Sequence, residues 1–233
     1  MNKILAIIPA RGGSKRIPRK NIKPFLGQPI IKYSIDTAIE SELFDEIMVS
    51  TDDQEIAVLS KQLGARVPFI RSKENSDDYA GTADVIEEVL NEYIKRGFSF
   101  KYACCIYPTA PFVTAEKLKE GHRLLIESEA DAVTPVVKFS YPIQRAFKIE
   151  DGKLVRMWPE YEKTRSQDLE PAYHDVGQFY WHKVESFFRR EVKDDYKKIP
   201  FIIPEMEMQD MDTEEDWEVA EFKYQYLHHY KLE

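Results

Sequence analysis

The chain has 233 residues, a net charge of −8 and 43% hydrophobic residues, which predicts one domain over residues 1–233 with a sizeable core. The acidic balance argues against a general nucleic-acid binder, whose surface would carry a broad basic face. No apolar run reaches the length of a membrane span, and the first residues lack a signal-peptide pattern, so a cytoplasmic protein without a membrane partner is expected. Cys104 and Cys105 are adjacent in an apolar run, which favours buried free thiols over a disulfide.

Apolar runs alternate with segments of helical periodicity as far as Phe139. Strands are predicted at KILAIIP, EIMVSTD, RVPFIR, YACCIYP and DAVTPVVKF. Amphipathic helices are predicted at PIIKYSIDTAIESE, DQEIAVLSKQLG, TADVIEEVLNEYIKRG and TAEKLKEGHRLLIESEA. This alternation predicts a three-layer α/β fold, a mostly parallel sheet with helices on both faces.

The alternation stops between residues 140 and 175, where Pro, Tyr, Arg and charged residues dominate. Asp151-Gly152 in KIEDGKL predicts a β-hairpin, so we interpret this segment as a small β-arm that leaves the sheet and contacts a second subunit in a homodimer. A surface insertion without such a role is the alternative. VGQFYWHKV and FIIPEMEM then return to the sheet, and TEEDWEVAEFKYQYLHHY is predicted to form the last helix.

A basic loop follows the first strand of this acidic chain. It carries six cationic side chains in thirteen residues, Arg11, Lys15, Arg16, Arg19, Lys20 and Lys23, together with Gly12 and Gly13. In open α/β sheets ligands bind beyond the carboxyl ends of the strands, and glycines let the backbone approach a phosphate. The loop therefore predicts a polyphosphate site in which Arg11, Lys15 and Lys20 neutralise the ligand. The spacing is neither that of a Walker A loop nor that of a dinucleotide-binding fingerprint, and a solvated basic loop is the alternative.

The stretch EMQDMDTEEDW near the end of the chain places Asp210 and Asp212 two residues apart. On an extended segment both carboxylates point the same way, which suits one hard cation such as Mg²⁺. The same residues also fit the start of a helix, with Asp212 as N-cap and a glutamate three residues later. From the residues alone, metal binding and helix capping are about equally supported.

The stretch IIPARGGSKRIPRKNIKPFLGQPII resembles the N-terminal signature of the sugar-activating nucleotidyltransferases, and more narrowly of the CMP-sugar-acid synthetases. STDDQEIA, RSKENSDDYAGTADV, YPTAPFVTAEKL and DMDTEEDW resemble further segments of that family, in the same order over nearly the whole chain. The resemblance implies a Rossmann-like nucleotidyltransferase fold. It also implies that the chain uses CTP and Mg²⁺ to activate a nine-carbon sugar acid as its CMP derivative, releasing pyrophosphate.

The resemblance also implies roles for particular residues. Arg11, Lys20 and Asp212 would be catalytic, and Asp210 and Asp212 would bind the metal ion. The nucleotide would be bound by Ala10, Arg11, Gly12, Gly13, Ser14, Lys15, Lys20, Asn21, Arg71 and Thr82, with Arg71 near the cytosine ring or its ribose. Tyr107 stands where the neuraminate enzymes carry a glutamine.

Polar and aromatic residues after the arm are candidates for the sugar site. A sugar carboxylate needs a cation and the ring needs amide or hydroxyl groups, which predicts substrate-binding roles for Tyr107, Arg165, Gln167, Gln178 and Phe179. His174 is interpreted as a structural histidine more readily than as a general base. RSQDL and GQFYW resemble the pseudaminate branch of the family, which implies pseudaminic acid as the acceptor; an N-acylneuraminate or a legionaminate is the alternative. A non-catalytic nucleotide-binding regulator and a glycan-binding surface module are the alternatives from other classes.

Overall fold

The computed structural model describes residues 3–77, 79–192 and 195–229. Within them the strands are β1 Ile4–Pro9, β2 Pro24–Phe25, β3 Gln28–Pro29, β4 Glu46–Ser50, β5 Tyr102–Ile106, β6 Ala132–Lys138, β7 Phe147–Glu150, β8 Lys153–Arg156, β9 Tyr173–Asp175, β10 Phe179–Lys183 and β11 Lys198–Ile202. The helices are α1 Ile30–Glu40, α2 Gln54–Gln62, α3 Thr82–Lys95, α4 Ala115–Glu127, α5 Val184–Phe187 and α6 Glu214–His229. The last helix was predicted to reach Tyr230, which lies outside the described residues.

The main sheet has the strand order β11-β6-β10-β5-β1-β4, with β9 paired to β6. β1 runs parallel to both β4 and β5, and β11 runs parallel to β6, whereas β10 is antiparallel to β5 and β6. The predicted mostly parallel sheet is therefore confirmed. Because β10 is reversed, its beginning lies at the edge where β5 and β6 end.

Helices cover both faces of the sheet, as predicted, because the strands are apolar on both sides. Ala6 and Ile8 of β1 belong to a buried cluster that includes side chains of α1, α2 and α4. Leu5 and Ile7, which point the other way, belong to a second cluster with side chains of α3 and α5. Cys104 and Cys105 are buried free thiols on opposite faces of β5, which confirms the sequence interpretation.

A third buried cluster joins the basic loop to the C-terminal helix. It contains Ile17, Phe25, Met211 and Trp217, together with Ile30, Phe112 and Ala220. The two predicted metal-binding residues, Asp210 and Asp212, are thereby brought near the loop that follows β1, although some 190 residues separate the two segments along the chain. For example, Arg16 and Asp212 form an ion pair across 196 positions.

Two local predictions had different outcomes. The hairpin around Asp151-Gly152 is confirmed, since β7 and β8 pair in antiparallel register with Glu150 opposite Lys153. The prediction of a strand at RVPFIR is wrong, because this segment forms only an isolated β-bridge between Met48 and Arg66. Pro68 has no backbone N–H to donate, which disfavours a continuous ladder.

Candidate active site

Two cavities open at the edge where β1, β4 and β5 end, and they share Arg16, Lys20, Tyr107 and Thr109. The first cavity has a volume of about 540 Å³, and its lining includes Arg11, Ser14, Lys15, Asn21, Arg71, Asp77 and Thr82. The second has a volume of about 420 Å³, and its lining includes His174, Asp175, Val176, Gly177, Tyr180, Met208, Gln209, Asp210 and Asp212. The predicted phosphate loop and the predicted metal ligands therefore meet at one place.

The basic loop is held in shape by hydrogen bonds to its own backbone and to the end of β4. The side chain of Asn21 is buried and donates to the carbonyl of Arg11 at 2.8 Å. The backbone N–H of Gly12 donates to Asp52 Oδ1 at 2.9 Å. Neither Gly12 nor Gly13 lines the two cavities, and Ala10 is fully buried. In this structure the loop presents mainly cationic side chains to the first cavity.

Arg71 contributes a buried guanidinium to the first cavity. Its Nε donates to Ser50 Oγ at 2.9 Å, and its Nη2 donates to the carbonyl of Ser50. Burial lowers the pKa of Arg71 to about 10, which leaves the group cationic at neutral pH. The side chain is thus fixed to the end of β4 and is exposed at only 6% of its surface, so that it can offer a preorganised positive charge.

Two tyrosines line the second cavity, and one of them, Tyr107, also lines the first. The Tyr107 hydroxyl lies 2.7 Å from Thr82 Oγ1, and the Tyr180 hydroxyl donates to Asp175 Oδ1 at 2.5 Å. Their ring centroids are 5.4 Å apart. Burial raises the pKa of both phenols, so they stay neutral at ordinary pH. Each hydroxyl has a hydrogen-bond partner within the protein, and both tyrosines contribute to the lining of the second cavity.

Thr213 and Asp216, and not Asp212, cap the helix α6 at the acidic end of the chain. Thr213 Oγ1 accepts from the N–H of Asp216 at 3.2 Å, and Asp216 Oδ2 accepts from the N–H of Thr213 at 2.8 Å. This reciprocal pair is a capping box, so the alternative in which Asp212 caps α6 is wrong, while metal binding by Asp212 stays a prediction. The hydrogen bond from Thr213 accordingly lowers the pKa of Asp216. The carboxylate of Asp212 instead faces Arg16 and Lys20, with Lys20 Nζ at 3.5 Å.

Asp210 is exposed on the lining of the second cavity, beside Asp212. Asp210 and Asp212 lie on a segment that forms neither a helix nor a β-strand, so no strand pairing fixes the direction of their side chains. Among the described residues, no three or more His, Cys, Asp and Glu side chains gather as a metal-binding group.

The structure does not bring all of the predicted sugar-site residues to the cavities. Arg165 and Gln167 lie exposed in the arm, where Arg165 pairs with Asp168 at 2.7 Å. Gln178 is buried and donates to the carbonyl of Glu207 at 2.7 Å. Phe179 is fully buried in the core, because alternate residues of β10 point to opposite faces of the sheet. Of the five predicted sugar-binding residues, Tyr107 lines the cavities.

Sequence reasoning passed over several residues that do line the second cavity. Arg16 was counted among the loop cations but given no role, and Asp175 and Met208 were not assigned to the site. Strand periodicity places Tyr180 on the face opposite Phe179 but does not say which of the two faces meets the site. Asp175 carries no such signal, because its position depends on the return path of the arm.

Comparisons with known proteins agree with one another. A family model described as cytidylyltransferase matches residues 5–208. The chain is 40% identical over 227 residues to the pseudaminic acid cytidylyltransferase of Campylobacter jejuni subsp. jejuni serotype O:2, covering 97% of this chain and 98% of that one. The protein of the same name from serotype O:23/36 gives the same identity and coverage. The solved structure of a CMP:2-keto-3-deoxy-manno-octonic acid synthetase complexed with CTP superposes with a TM-score of 0.70, at 15% identity, over 94% of this chain and 97% of that one.

Proposed function

From the premise that the chain belongs to the cytidylyltransferase family, we propose that it transfers CMP from CTP to pseudaminic acid, a nine-carbon sugar acid, with release of pyrophosphate. The observation that carries the proposal is the meeting of two cavities at Arg16, Lys20 and Tyr107. One cavity is rich in cations and suits a triphosphate, and the other is walled by tyrosine rings and suits a sugar. A transfer between two bound substrates needs them to be adjacent in this way.

In the proposed reaction the anomeric hydroxyl of the sugar attacks the α-phosphate of CTP. The new bond joins that oxygen to the α-phosphorus, and the bond between the α-phosphorus and the oxygen that bridges to the β-phosphate breaks. Pyrophosphate leaves with the electron pair, and the hydroxyl proton passes to solvent. Arg11, Lys15 and Lys20 bind the triphosphate and neutralise the charge on the departing pyrophosphate, while Arg71 and Thr82 contribute to the nucleotide side. The catalytic contribution of these residues is positioning and charge stabilisation.

Asp210 and Asp212 are proposed to hold Mg²⁺. Two carboxylates fit this ion, because Mg²⁺ in nucleotide sites usually combines one or two protein carboxylates with phosphate oxygens and water. The proposal is supported by their position, since both residues line the cavity that adjoins the cationic loop. When bound, the ion would neutralise phosphate charge and lower the pKa of a coordinated hydroxyl.

The acceptor assignment has a physical argument besides the names of the relatives. Pseudaminic acid carries two acylated amines and a terminal methyl where N-acetylneuraminic acid has one amide and a glycerol tail. The hydroxyls of Tyr107 and Tyr180 are hydrogen-bonded to Thr82 and Asp175, and Val176 and Met208 add apolar lining beside the charged residues of the cavity. Such a wall favours a methyl group over hydroxyls that would lose their hydrogen bonds to water.

The test is to incubate the protein with CTP, Mg²⁺ and equal concentrations of pseudaminic and N-acetylneuraminic acids. Pyrophosphate release should be measured together with the ratio of the two CMP-sugars. We expect CMP transfer mainly to pseudaminic acid. Equal or greater transfer to N-acetylneuraminic acid would overturn the acceptor and leave the cytidylyl transfer standing. Tight CTP binding without release of pyrophosphate from CTP in the presence of either sugar acid would favour the non-catalytic regulator instead.

A further inference from the structure

Arg19 differs from the cations around it in the direction of its side chain. Four of the six cations of the basic loop line the cavities, namely Arg11, Lys15, Arg16 and Lys20. Arg19 turns away from them to the start of α2, where it makes a bidentate ion pair with Asp53 at 2.5 and 2.9 Å and contacts Glu55 at 2.5 Å. Bidentate Arg–carboxylate pairs fix geometry as well as charge.

Asp53 contacts both ends of the segment 12–19, which contains Lys15 and Arg16 and is flanked by Arg11 and Lys20. At the far end it binds Arg19, and at the near end its side chain lies against Gly12, where an added Cβ would come within 2.7 Å of Asp53 Oδ2. Asp53 itself is fixed, because its Oδ1 accepts from the N–H of Ile56 at 3.0 Å and caps α2. The carboxylate therefore closes the loop against a rigid element.

The backbone at Arg19 is in the left-handed region, with φ of 54°. This conformation is unfavourable for a residue with a long side chain, so other interactions must hold it. The turn begins the short 3₁₀ helix Lys20–Ile22 and so sets the direction of Lys20, which lines both cavities. The ion pair of Arg19 with Asp53 is positioned to stabilise this turn.

We propose that Arg19 is a positioning residue for the nucleotide: its pair with Asp53 holds the basic loop in the shape that presents Lys20 and its neighbours to the phosphates of CTP. The inference rests on the proposed function, because CTP is the ligand. The alternative is that the pair is an ordinary, partly exposed salt bridge, whose removal would change neither CTP binding nor stability by much.

Two substitutions remove the ion pair while retaining the left-handed backbone at position 19 and the helix cap at position 53. Arg19→Asn removes the cation but retains a residue that tolerates the left-handed region. Asp53→Asn removes the charge but retains a side chain that caps a helix as well as aspartate does. The control is Arg123→Ala, which removes an exposed arginine paired with Glu127 on α4, outside both cavities.

The measurement is the dissociation constant of CTP by calorimetry in the presence of Mg²⁺, with the melting temperature and the steady-state constants recorded for each variant. We expect Arg19→Asn and Asp53→Asn each to weaken CTP binding by about tenfold, as loss of one charge-assisted arrangement would. The double variant should bind no more weakly than either single one, because both changes break the same pair. The KM for CTP should rise while kcat and the KM for the sugar acid stay within about twofold.

Unchanged CTP binding in Arg19→Asn would overturn the inference, and so would additive losses in the double variant. A loss of affinity that appears equally in Arg123→Ala would also overturn it, since the effect would then be a general one. Absence of CTP binding in the unmodified protein would be a failure of the proposed function itself. These outcomes are distinct, because the binding measurement needs no acceptor.

Discussion

At the scale of single residues, the carboxylate of Asp212 joins the acidic stretch near residue 210 to the basic loop that follows β1. It faces Arg16 and Lys20 of the basic loop, while the adjacent helix end is capped by Thr213 and Asp216. Capping and charge are thereby assigned to different side chains. Substitutions at neighbouring positions can therefore test them separately.

We expect Asp212→Asn, and likewise Asp210→Asn, to lower kcat/KM by the equivalent of at least about 2 kcal/mol of transition-state stabilisation, because a charged contact to the proposed metal and loop is lost. The dependence of turnover on Mg²⁺ concentration should weaken at the same time. Thermal unfolding should show little change in either variant.

Thr213→Ala is the matched control for these changes. It removes the cap of α6 and should lower the free energy of unfolding by about 1 kcal/mol while leaving most of the activity. If Asp212→Asn retained nearly normal kcat/KM, the catalytic role proposed for this carboxylate would be wrong. Activity losses of equal size in both variants would point to the helix end rather than to the charge.

At the scale of elements, β10 divides its residues between the core and the site. Phe179 and Trp181 are fully buried in one cluster, whereas Tyr180 reaches the second cavity. His182 follows on the same side as Tyr180, beside the ring of Phe187 at 5.0 Å. Its Nδ1 is buried and has no hydrogen-bond partner among the described residues.

His182 should make the fold sensitive to acid. Burial, with smaller contributions from Lys198 and Arg190, lowers its pKa to about 3. In the unfolded chain this histidine binds a proton near its ordinary pKa of about 6.5. In the folded chain it stays neutral until about pH 3. This residue therefore leaves stability unchanged above pH about 6.5 and makes it fall as the pH drops through that window.

His182→Leu should flatten the decline in the free energy of unfolding between pH about 6.5 and about 4, measured by urea titration. His228→Gln is the control, since it removes an exposed histidine from α6. An acid decline in His182→Leu as steep as in the unmodified protein would show that other groups cause it.

Features of the fold and of the site differ in how far the sequence alone could predict them. The alternation of apolar runs and helices, the hairpin at Asp151-Gly152 and the basic loop after β1 follow from local patterns, and each was found in advance. The face of β10 that meets the site was not, because period-two alternation defines two faces without saying which one is covered. Arg165 and Gln167 were assigned to the sugar from composition, but their location depends on the path of the arm through space.

At the scale of the whole molecule, the arm presents apolar residues for which the described fold provides no cover. Ile149 and Leu154 are cross-strand neighbours with exposures of 76% and 71%, and Phe147, on the same face of the hairpin, is 49% exposed. The opposite face carries the ion pair between Lys148 and Glu150. A two-stranded hairpin is marginally stable alone, so a partner surface would stabilise it.

We propose that this apolar face of the β7–β8 hairpin packs against a second copy of the chain in a homodimer. Ile149→Glu and Leu154→Lys would each place a charge in such an interface, and burying an unpaired charge costs several kcal/mol. We therefore expect the mass measured by light scattering after gel filtration to fall from that of a dimer to that of a monomer in both variants. Lys148→Ser, on the opposite face of the hairpin, should leave the dimer intact. A monomeric unmodified protein at micromolar concentration, or a dimer that survives both charged substitutions, would contradict the proposal, because the exposed face would then have no role in assembly.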